Sequence, residues 1–420
     1  MQTAIARHQL DKALARPVVW SIATALIVRL SLLVFLSITG KLSNLGDQVD
    51  FLRVVVTRME TPSSEWDGRT YQLWSATKSY LIPMKFLFTV FGVHPFLPKI
   101  LTVICGALVA GIVAYLVIKL TNNRMLALSA GLLIAFDPSA ILWSTLIMRD
   151  AFIWIALASV ALILHHAHSS DNASKISLSP FLLIFIIVFL RYLRPHTTAV
   201  VCIAILLAEL CAIKKANLNT TLVIAIAIIT PWFLNLGFVG SSVTTMDMKT
   251  VEVFRNAHSD GSTGFETTNS TNTTNTTNTT NTTNTDTSNA EEPNGQASWR
   301  YLPRGLRAMW LEPLPHQLNS NKKMMAAFTE QLFWLPIFSF AIIGFLRLRK
   351  REAAYLYIFS IFCGTSVVWA MTDGNYLSAH RHRGEFMWAA VIMAAVGLQT
   401  VTTQFKKRHS EPEESKIIPS

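Results

Sequence analysis

Charged residues are scarce in this chain of 420 residues: Asp, Glu, Lys and Arg make up 15% of it, whereas 51% is hydrophobic. The mean hydropathy is +0.39. Soluble domains carry about a quarter of their residues as charged side chains, so this composition excludes an ordinary soluble protein. A lipid bilayer must supply part of the solvent, and we expect a membrane protein.

Cysteine is also scarce. The four cysteines, Cys105, Cys202, Cys211 and Cys363, all fall in apolar runs, where they behave as small apolar residues. No CxxC or paired histidine spacing is present, so we expect neither a disulfide nor a zinc site. The net charge of +11 does not indicate nucleic-acid binding, because the basic residues are divided among the connections between apolar runs.

The apolar runs predict an all-α, polytopic helical membrane protein with about ten transmembrane helices and with interfacial helices in its outer loops. A helix needs roughly 20 mostly apolar residues to cross the hydrocarbon core. The ten predicted spans are residues 18–38, 100–118, 125–146, 152–165, 178–193, 198–213, 221–236, 328–346, 354–371 and 386–404.

The basic residues predict the orientation. Lys and Arg are retained on the cytoplasmic side of short loops, and every second connection carries a basic cluster, such as Lys214-Lys215 and residues 347–351. Both termini are therefore predicted to be cytoplasmic, in an inner (plasma) membrane. The first apolar run is too long and too rich in flanking arginine for a cleaved signal peptide, so we expect it to remain as an anchor.

This topology divides the chain into four parts. They are an N-terminal transmembrane core at 1–236 with an outer loop at 40–99, an outer loop at 237–327, C-terminal transmembrane helices at 328–405 and a cytoplasmic tail at 406–420. Within the second outer loop, residues 267–289 repeat Thr-Asn-Thr triplets and cannot bury enough apolar surface to fold, which predicts a disordered insert. Residues 301–313 mix basic, aromatic and apolar side chains, as an amphipathic interfacial element does.

The first outer loop carries two acids close to the end of the first span, Asp47 and Asp50. A carboxylate at the membrane surface can meet a lipid head group, and the alternative is an ordinary solvated loop acid. The loop continues to an apolar stretch, residues 79–92, that is too short to cross the bilayer. We expect this stretch to be an interfacial helix lying along the membrane.

Arginine also occurs in three short connections that this topology places outside. Arg149-Asp150 precedes the fourth span, Arg194 lies between the fifth and sixth, and residues 380–385 have the sequence His-Arg-His-Arg-Gly-Glu between the ninth and tenth. Positive residues are disfavoured in short outer loops, so each cluster needs a local reason. Binding of a phosphate by guanidinium is one reason, and an ion pair with an acid or with anionic lipid is the other.

Arg29 lies in the middle of the first predicted span, where a charge is costly. We expect it to face the interior of the bundle, in a structural ion pair for which Glu209 is the candidate partner.

Six short motifs along the chain, taken in order, resemble those of the GT-C superfamily of integral-membrane glycosyltransferases, near the protein mannosyltransferase and aminoarabinose transferase group. The motifs are Gly46-Asp47, Phe91-Gly92, Pro138 followed by Arg149-Asp150, Arg194-Pro195, Leu302-Pro303-Arg304-Gly305-Leu306 and Arg381-His382-Arg383. The resemblance spans most of the chain apart from the Asn/Thr insert.

The resemblance implies a polyprenyl-phosphate sugar donor and a catalytic base in the first outer loop. Asp47 is the first choice and Asp50 the second, because Phe51 stands four residues after Asp47, where family members place an aromatic residue. Asp150 resembles the second acidic position of the family. The residues that would bind the donor phosphate are Arg381, Arg383, Arg194 and His382.

The implied acceptor is a glycan, lipid or protein of the cell envelope, and membrane lipids are the other expected partners. No cofactor is implied with certainty and no metal ligand is assigned, although two outer acids could hold a divalent cation instead of doing acid–base chemistry.

Two other classes of function stay open. An O-antigen polymerase or ligase would use outer Arg and His residues without an essential first-loop acid, and a lipid-linked sugar transporter would place acids and helix breaks near the bilayer midplane.

The topology can be tested with fusions. A reporter fused after residue 290 should be extracytoplasmic and one fused after residue 215 cytoplasmic, because the two sites fall on opposite sides of the seventh predicted span. Paired alkaline phosphatase and green fluorescent protein fusions at each site measure this. The reverse pattern would move every candidate site residue to the cytoplasmic side.

Overall fold

A computed structural model describes residues 2–41, 46–169, 179–212, 225, 296–318, 322–346, 353–373 and 376–410. Within these residues every regular element is a helix, which confirms the all-α part of the predicted fold class. The α-helices are α1 (Gln2–Thr39), α2 (Gly46–Glu60), α3 (Gly68–Ala76), α4 (Lys78–Phe91), α5 (Phe96–Thr121), α6 (Arg124–Phe136), α7 (Pro138–Ser144), α8 (Asp150–Ser169), α9 (Ser179–Arg191), α10 (Pro195–Ala212), α11 (Gln296–Leu311), α12 (Lys322–Leu346), α13 (Ala353–Thr372) and α14 (Tyr376–Ser410).

Several of these helices are long and apolar enough to cross a membrane, so the chain is a membrane-embedded protein. Among the described residues there are six such segments: Arg16–Thr39, Phe96–Thr121, Asp150–His168, Ala327–Leu346, Ala353–Thr372 and Ser378–Lys406. A seventh arises if the bent pair α6 and α7 forms one span. The predicted total of ten is not confirmed, because α9 and α10 contain shorter apolar segments and the predicted span 221–236, apart from residue 225, lies outside the described residues. The insert 267–289 also lies outside them.

The third predicted span is not one continuous helix. It breaks at Asp137-Pro138, and the axes of α6 and α7 differ by 56°. Proline lacks the N–H that a continuing helix needs, and it suits the first position of a new one. The Asp137 carboxylate accepts a hydrogen bond from the Ser139 N–H at 3.2 Å and so caps α7.

Arg29 satisfies the other side of this break. Its guanidinium donates to the carbonyls of Ile134 and Ala135, near the end of α6, at 3.2 and 3.1 Å. Its Nε donates to Ser144 Oγ in α7 at 2.9 Å. The expected pairing of Arg29 with Glu209 is therefore wrong: Glu209 instead lies 2.7 Å from Nε2 of His168. A cation beside unpaired helix carbonyls is stabilising, so Arg29 holds a broken span together.

A chain of aromatic contacts positions α2 over the bundle. Phe51 of α2 packs edge-on against Tyr80 of α4, with ring centroids 5.3 Å apart, and Tyr80 packs in the same way on Phe152 of α8 at 5.4 Å. These rings are buried, and such pairs contribute about 0.5–1.5 kcal/mol each beyond the area they bury. The start of α2 is thereby held close to the start of α8.

The segment 380–385 is helical and buried, not the predicted outer loop. The helix α14 begins at Tyr376, ten residues before the predicted start at 386. The polar side chains of this segment find partners inside the bundle, so they do not need water. Gly384 lies directly against the Trp154 ring of α8, where a Cβ atom would collide, so the small residue lets α14 approach α8.

The helix predicted at 79–92 is present as α4, which buries Tyr80, Leu81, Met84 and Phe88. Its opposite face exposes Ile82, Phe86 and Val90 at four-residue intervals. In water this stripe would be unfavourable, whereas at a membrane surface it would be immersed in acyl chains.

A spin label at residue 86 tests this placement. For Phe86→Cys we expect greater collision with oxygen, which concentrates in lipid, than with a water-soluble nickel chelate. The matched control is Gln72→Cys in α3, which is exposed and polar and should show the opposite preference. Equal nickel access at both positions would place α4 in water, and labelling of the unmutated chain would correct for the native cysteines.

Candidate active site

Four of the predicted site residues converge at one end of the helix bundle. Asp47 lies in the first turn of α2, Asp150 in the first turn of α8, Arg194 directly before α10, and Arg381 near the start of α14. In the predicted topology all four chain positions face the outer side. The tertiary structure brings their side chains into direct contact.

Asp150 is the centre of this cluster. Its side chain is 0% exposed. One oxygen accepts from Arg381, at 2.9 Å from Nε and 2.7 Å from Nη2, and the other accepts from Arg194 Nη2 at 3.3 Å. Burying a lone carboxylate costs several kcal/mol after relaxation, so these two guanidiniums are what makes the buried position tolerable.

Arg194 extends the cluster to a second buried acid, Glu385. The carboxylate of Glu385 accepts from Arg194 Nη1 and from Thr197 Oγ1, the latter at 3.1 Å. The Arg194 guanidinium also lies over the Trp369 ring, 4.8 Å from its centroid. Arg194 is 2% exposed, and its two terminal nitrogens are paired with carboxylates, whereas its buried Nε has no hydrogen-bond partner among the described residues.

Asp47 differs from the two buried acids because its side chain is 51% exposed. Its Oδ2 lies 2.5 Å from Nη1 of Arg381. The neighbouring Gln48 is buried and accepts from the Ile147 N–H at 3.0 Å, which ties α2 to the loop before Asp150. Exposed ion pairs contribute about 0–1 kcal/mol, whereas breaking a buried pair costs about 3–5 kcal/mol. The Asp47 contact is therefore far easier to exchange than the Asp150 contact.

Asp50 does not belong to the cluster. Its Oδ2 lies 2.5 Å from Arg69 Nη2, at the start of α3, and its Oδ1 lies 3.9 Å from Arg53. Asp50 is one helical turn from Asp47, and this pairing turns it towards α3. The structure thus separates the two first-loop acids, which their sequence positions could not do.

Arg383 does not reach the cluster either, and the prediction that it binds the donor phosphate is corrected. Its buried guanidinium already donates to the carbonyls of Ala308, Met309 and Glu312 and to the side-chain oxygen of Gln331, and its Nη1 also lies against a ring nitrogen of His380. The distances are 2.6–3.2 Å. Arg383 attaches α11 and the residues after it to α12 and α14.

His382 pairs with Asp373, the residue after α13. Its Nδ1 lies 2.8 Å from Asp373 Oδ2, and its ring stacks on Trp369 with centroids 3.5 Å apart. Burial raises the pKa of Asp373 to about 8, although a hydrogen bond from Ser378 and the charge of Arg194 oppose this. The predicted phosphate contact of His382 is thus replaced by a buried carboxyl partner. His382 lies beside the cluster, because the Trp369 ring that it stacks on also contacts the Arg194 guanidinium.

Arg149 was noted in the sequence but not assigned a role. Its Nη1 donates to the Leu193 carbonyl at 2.8 Å, and its Nε has no hydrogen-bond partner although it is buried. Burial, together with the charges of Arg194 and Arg381, lowers the pKa of Arg149 to about 9. The three guanidiniums are balanced by three carboxylates, those of Asp47, Asp150 and Glu385. Within the described part of the chain, Arg149 is the one that no carboxylate pairs with directly, so its Nε is available to a further acceptor.

A divalent cation would compete with Arg381 for the same oxygens. Within the described part of the chain no three His, Cys, Asp or Glu side chains converge on a common point. The carboxylates of Asp47 and Asp150 both contact the Arg381 guanidinium. The described geometry is that of an ion-pair network.

Sequence reasoning missed Glu385 and Trp369. Glu385 follows Arg381 by four residues, which is the spacing of neighbours on one helix face. That signal was hidden because the segment was expected to be a loop. Trp369 lies within an apolar span, and nothing in its local sequence distinguishes it from lipid-facing aromatic residues.

Comparisons with known proteins do not extend this description. No protein-family model matches the chain, and no curated protein or solved structure gives a significant match.

The role found for Arg383 predicts that Arg383→Ala will be strongly destabilising. A buried acceptor left unpaired costs about 1–3 kcal/mol, and this change removes the donor from several at once. We expect a large fall in the unfolding midpoint and in monodisperse yield in detergent. Arg307→Ala is the control, because that side chain is 55% exposed and lies 3.2 Å from Glu312. A stable Arg383→Ala protein that binds polyprenyl phosphate weakly would restore the phosphate role.

Proposed function

We propose that this protein is a membrane-bound glycosyltransferase of the GT-C type. It transfers a sugar from a polyprenyl-phosphate donor to a cell-envelope acceptor on the outer face of the inner membrane. The observation that carries the proposal is the shared guanidinium: Asp47 and Asp150, which the sequence places far apart, both contact Arg381.

Asp47 is the general base in this proposal. Of the three carboxylates in the cluster, Asp150 and Glu385 are fully buried, whereas Asp47 is half exposed and can meet an acceptor hydroxyl. A sugar or lipid hydroxyl is a poor nucleophile at neutral pH. A positioned carboxylate that accepts its proton contributes about 10²–10⁴-fold to the rate.

The reaction balances as a single displacement. The acceptor oxygen forms a bond to the anomeric carbon while the bond from that carbon to the phosphate oxygen breaks. The hydroxyl proton passes to Asp47, and the electron pair leaves with the polyprenyl phosphate. Because attack and departure occur on opposite sides of the carbon, the anomeric configuration inverts.

Arginine side chains stabilise the leaving phosphate. Negative charge that develops in a site shielded from water is best stabilised by fixed cations. Arg381 is the nearest candidate, because it is held by Asp150 and is only 14% exposed. Arg149, whose Nε has no hydrogen-bond partner, lies in the same group of guanidiniums. Arg194 acts through Asp150, since its own contacts are with Asp150 and Glu385.

A second candidate function is transport of a lipid-linked sugar, and the break between α6 and α7 favours it. Transporters use discontinuous helices to bind substrates near the midplane. A small cavity beside this break is lined in part by Arg29, Asp137 and Trp154. However, Arg29 and Asp137 already satisfy the broken helix ends from within the protein. The arrangement is therefore better explained as structural, and the transferase is the first proposal.

Asp47→Asn tests the proposed chemistry. The change keeps the size of the side chain and removes its basicity, so transfer from a polyprenyl-phosphate sugar should fall by about 10²–10⁴-fold at unchanged membrane expression. Asp50→Asn is the matched control, because it removes the same charge from the same helix but from the pair with Arg69. The transfer activity of the Asp50→Asn variant should stay within a few-fold of that of the unmutated protein.

The measurement is the rate of sugar transfer in reconstituted vesicles, normalised to folded protein. Near-normal rates in both single variants and in the double variant would rule out the first-loop acid. The polymerase or ligase alternative would then take precedence.

A further inference from the structure

The Arg381 guanidinium has two unlike contacts. Its Nε and Nη2 both donate to one oxygen of the fully buried Asp150, at 2.9 and 2.7 Å. Its Nη1 lies 2.5 Å from the half-exposed Asp47. The first contact is anchored in the bundle and shielded from water, and the second sits at its solvent-facing edge, where screening weakens an ion pair.

In this arrangement the proposed base is already engaged. One Asp47 oxygen accepts a charge-assisted hydrogen bond from Arg381. The same guanidinium is the nearest candidate for the donor phosphate. Base and phosphate therefore compete for Nη1 of Arg381, while the Nε and Nη2 contacts can stay on Asp150 throughout.

We propose that the Asp47–Arg381 ion pair is a latch that the phosphate of the polyprenyl donor opens. Resting on the proposed function, this inference assigns an order to it: the donor phosphate takes the place of Asp47 on Arg381 Nη1, and the released carboxylate then accepts the acceptor proton. Without the donor, Asp47 stays paired and does not activate water or an acceptor. The buried pair with Asp150 keeps Arg381 in position during the exchange.

Neighbouring side chains fit this exchange. The Trp143 ring lies 5.4 Å from the Arg381 guanidinium and backs it with a flat apolar surface. Gln48 holds the first turn of α2 through the Ile147 N–H, so Asp47 can change partner by side-chain rotation without movement of the helix. Arg149 adds positive potential on the same side.

The latch makes an unusual prediction for binding. If Asp47 competes with phosphate for Arg381, removing its charge should tighten binding of a polyprenyl monophosphate, although the same change abolishes transfer. An exposed ion pair contributes at most about 1 kcal/mol, which converts to about a fivefold lower Kd. The probe is a long-chain polyprenyl monophosphate titrated into the full chain in zwitterionic nanodiscs.

Three variants separate the latch from general electrostatics. Asp47→Asn should lower the Kd about fivefold, whereas Asp50→Asn, which removes an equal charge one turn away, should leave it within about twofold. In the Arg381→Lys background, Asp47→Asn should increase the affinity for polyprenyl phosphate by less, because a single ammonium cannot bind Asp150 and a second anion in the geometry of a guanidinium. Thermal unfolding midpoints establish that each variant is folded.

Unchanged or weaker binding by Asp47→Asn would overturn the latch, even if transfer is lost and the proposed function stands. If Asp50→Asn lowered the Kd as much as Asp47→Asn does, the latch would also be overturned, because long-range repulsion between carboxylate and phosphate would explain both results. Phosphatidylglycerol serves as a second probe: tightening for this lipid as well would overturn a donor-specific latch. If Asp47→Asn tightens binding of polyprenyl phosphate alone while the unmutated protein transfers no sugar, the ion-pair exchange would be supported and the proposed reaction rejected.

Discussion

The buried carboxylate of Asp150 is stable only because guanidiniums approach both of its oxygens. Arg194 comes from a position 44 residues away in the chain and Arg381 from 231 residues away. Each donor then needs a further acceptor, and Arg194 finds it in Glu385 while Arg381 finds it in Asp47. The ends of α2, α8, α10 and α14 are consequently held at one point by charge. Removing any buried member would leave an unpaired charge, which is far more costly than the loss of one contact.

The same constraint operates deeper in the bundle at the break between α6 and α7. A helix that stops within a membrane protein leaves carbonyl and N–H groups that lipid cannot satisfy. Arg29 supplies donors to the carbonyls at the end of α6, and Asp137 supplies the acceptor for the start of α7. A charge in the middle of a span is often interpreted as a functional residue. Here its contacts explain it as a structural cap, so the functional proposal rests on the charged cluster around Asp150.

Within that cluster, burial separates structural from chemical roles. Asp150 and Glu385 are fully buried and paired with arginine, so they cannot reach a substrate hydroxyl without unfolding of their surroundings. Asp47 sits on the same network but faces outward, so it combines a fixed position with access. The base proposed at Asp47 needs a fixed support, and α2 receives it from Gln48 and from the packing of Phe51 on Tyr80. The proposed chemistry therefore depends on the exposed carboxylate of Asp47, at the edge of the buried ion-pair network.

The helical membrane class and most helix positions followed from the sequence, because long apolar runs have few alternatives in a bilayer. The helix at 79–92 and the helical turn starting at Asp150 were predictable for the same local reasons. The break at Asp137 was visible as an Asp-Pro pair, but a hydropathy average over the run conceals it. The start of α14 was placed too late, since polar side chains at 380–385 look like a loop until their buried partners are known.

The predicted topology was enough to list Asp47, Asp50, Asp150, Arg194 and Arg381 as polar residues expected on the same side of the membrane. It was not enough to choose among them, since contact depends on which helix ends meet. Tertiary structure joined four of them through Asp150 and directed Asp50 to Arg69. It also directed the Arg383 guanidinium to three backbone carbonyls and to the side chain of Gln331. Composition and spacing thus determined that the chain lies in a membrane, and long-range pairing of buried charges decided where its candidate chemistry is.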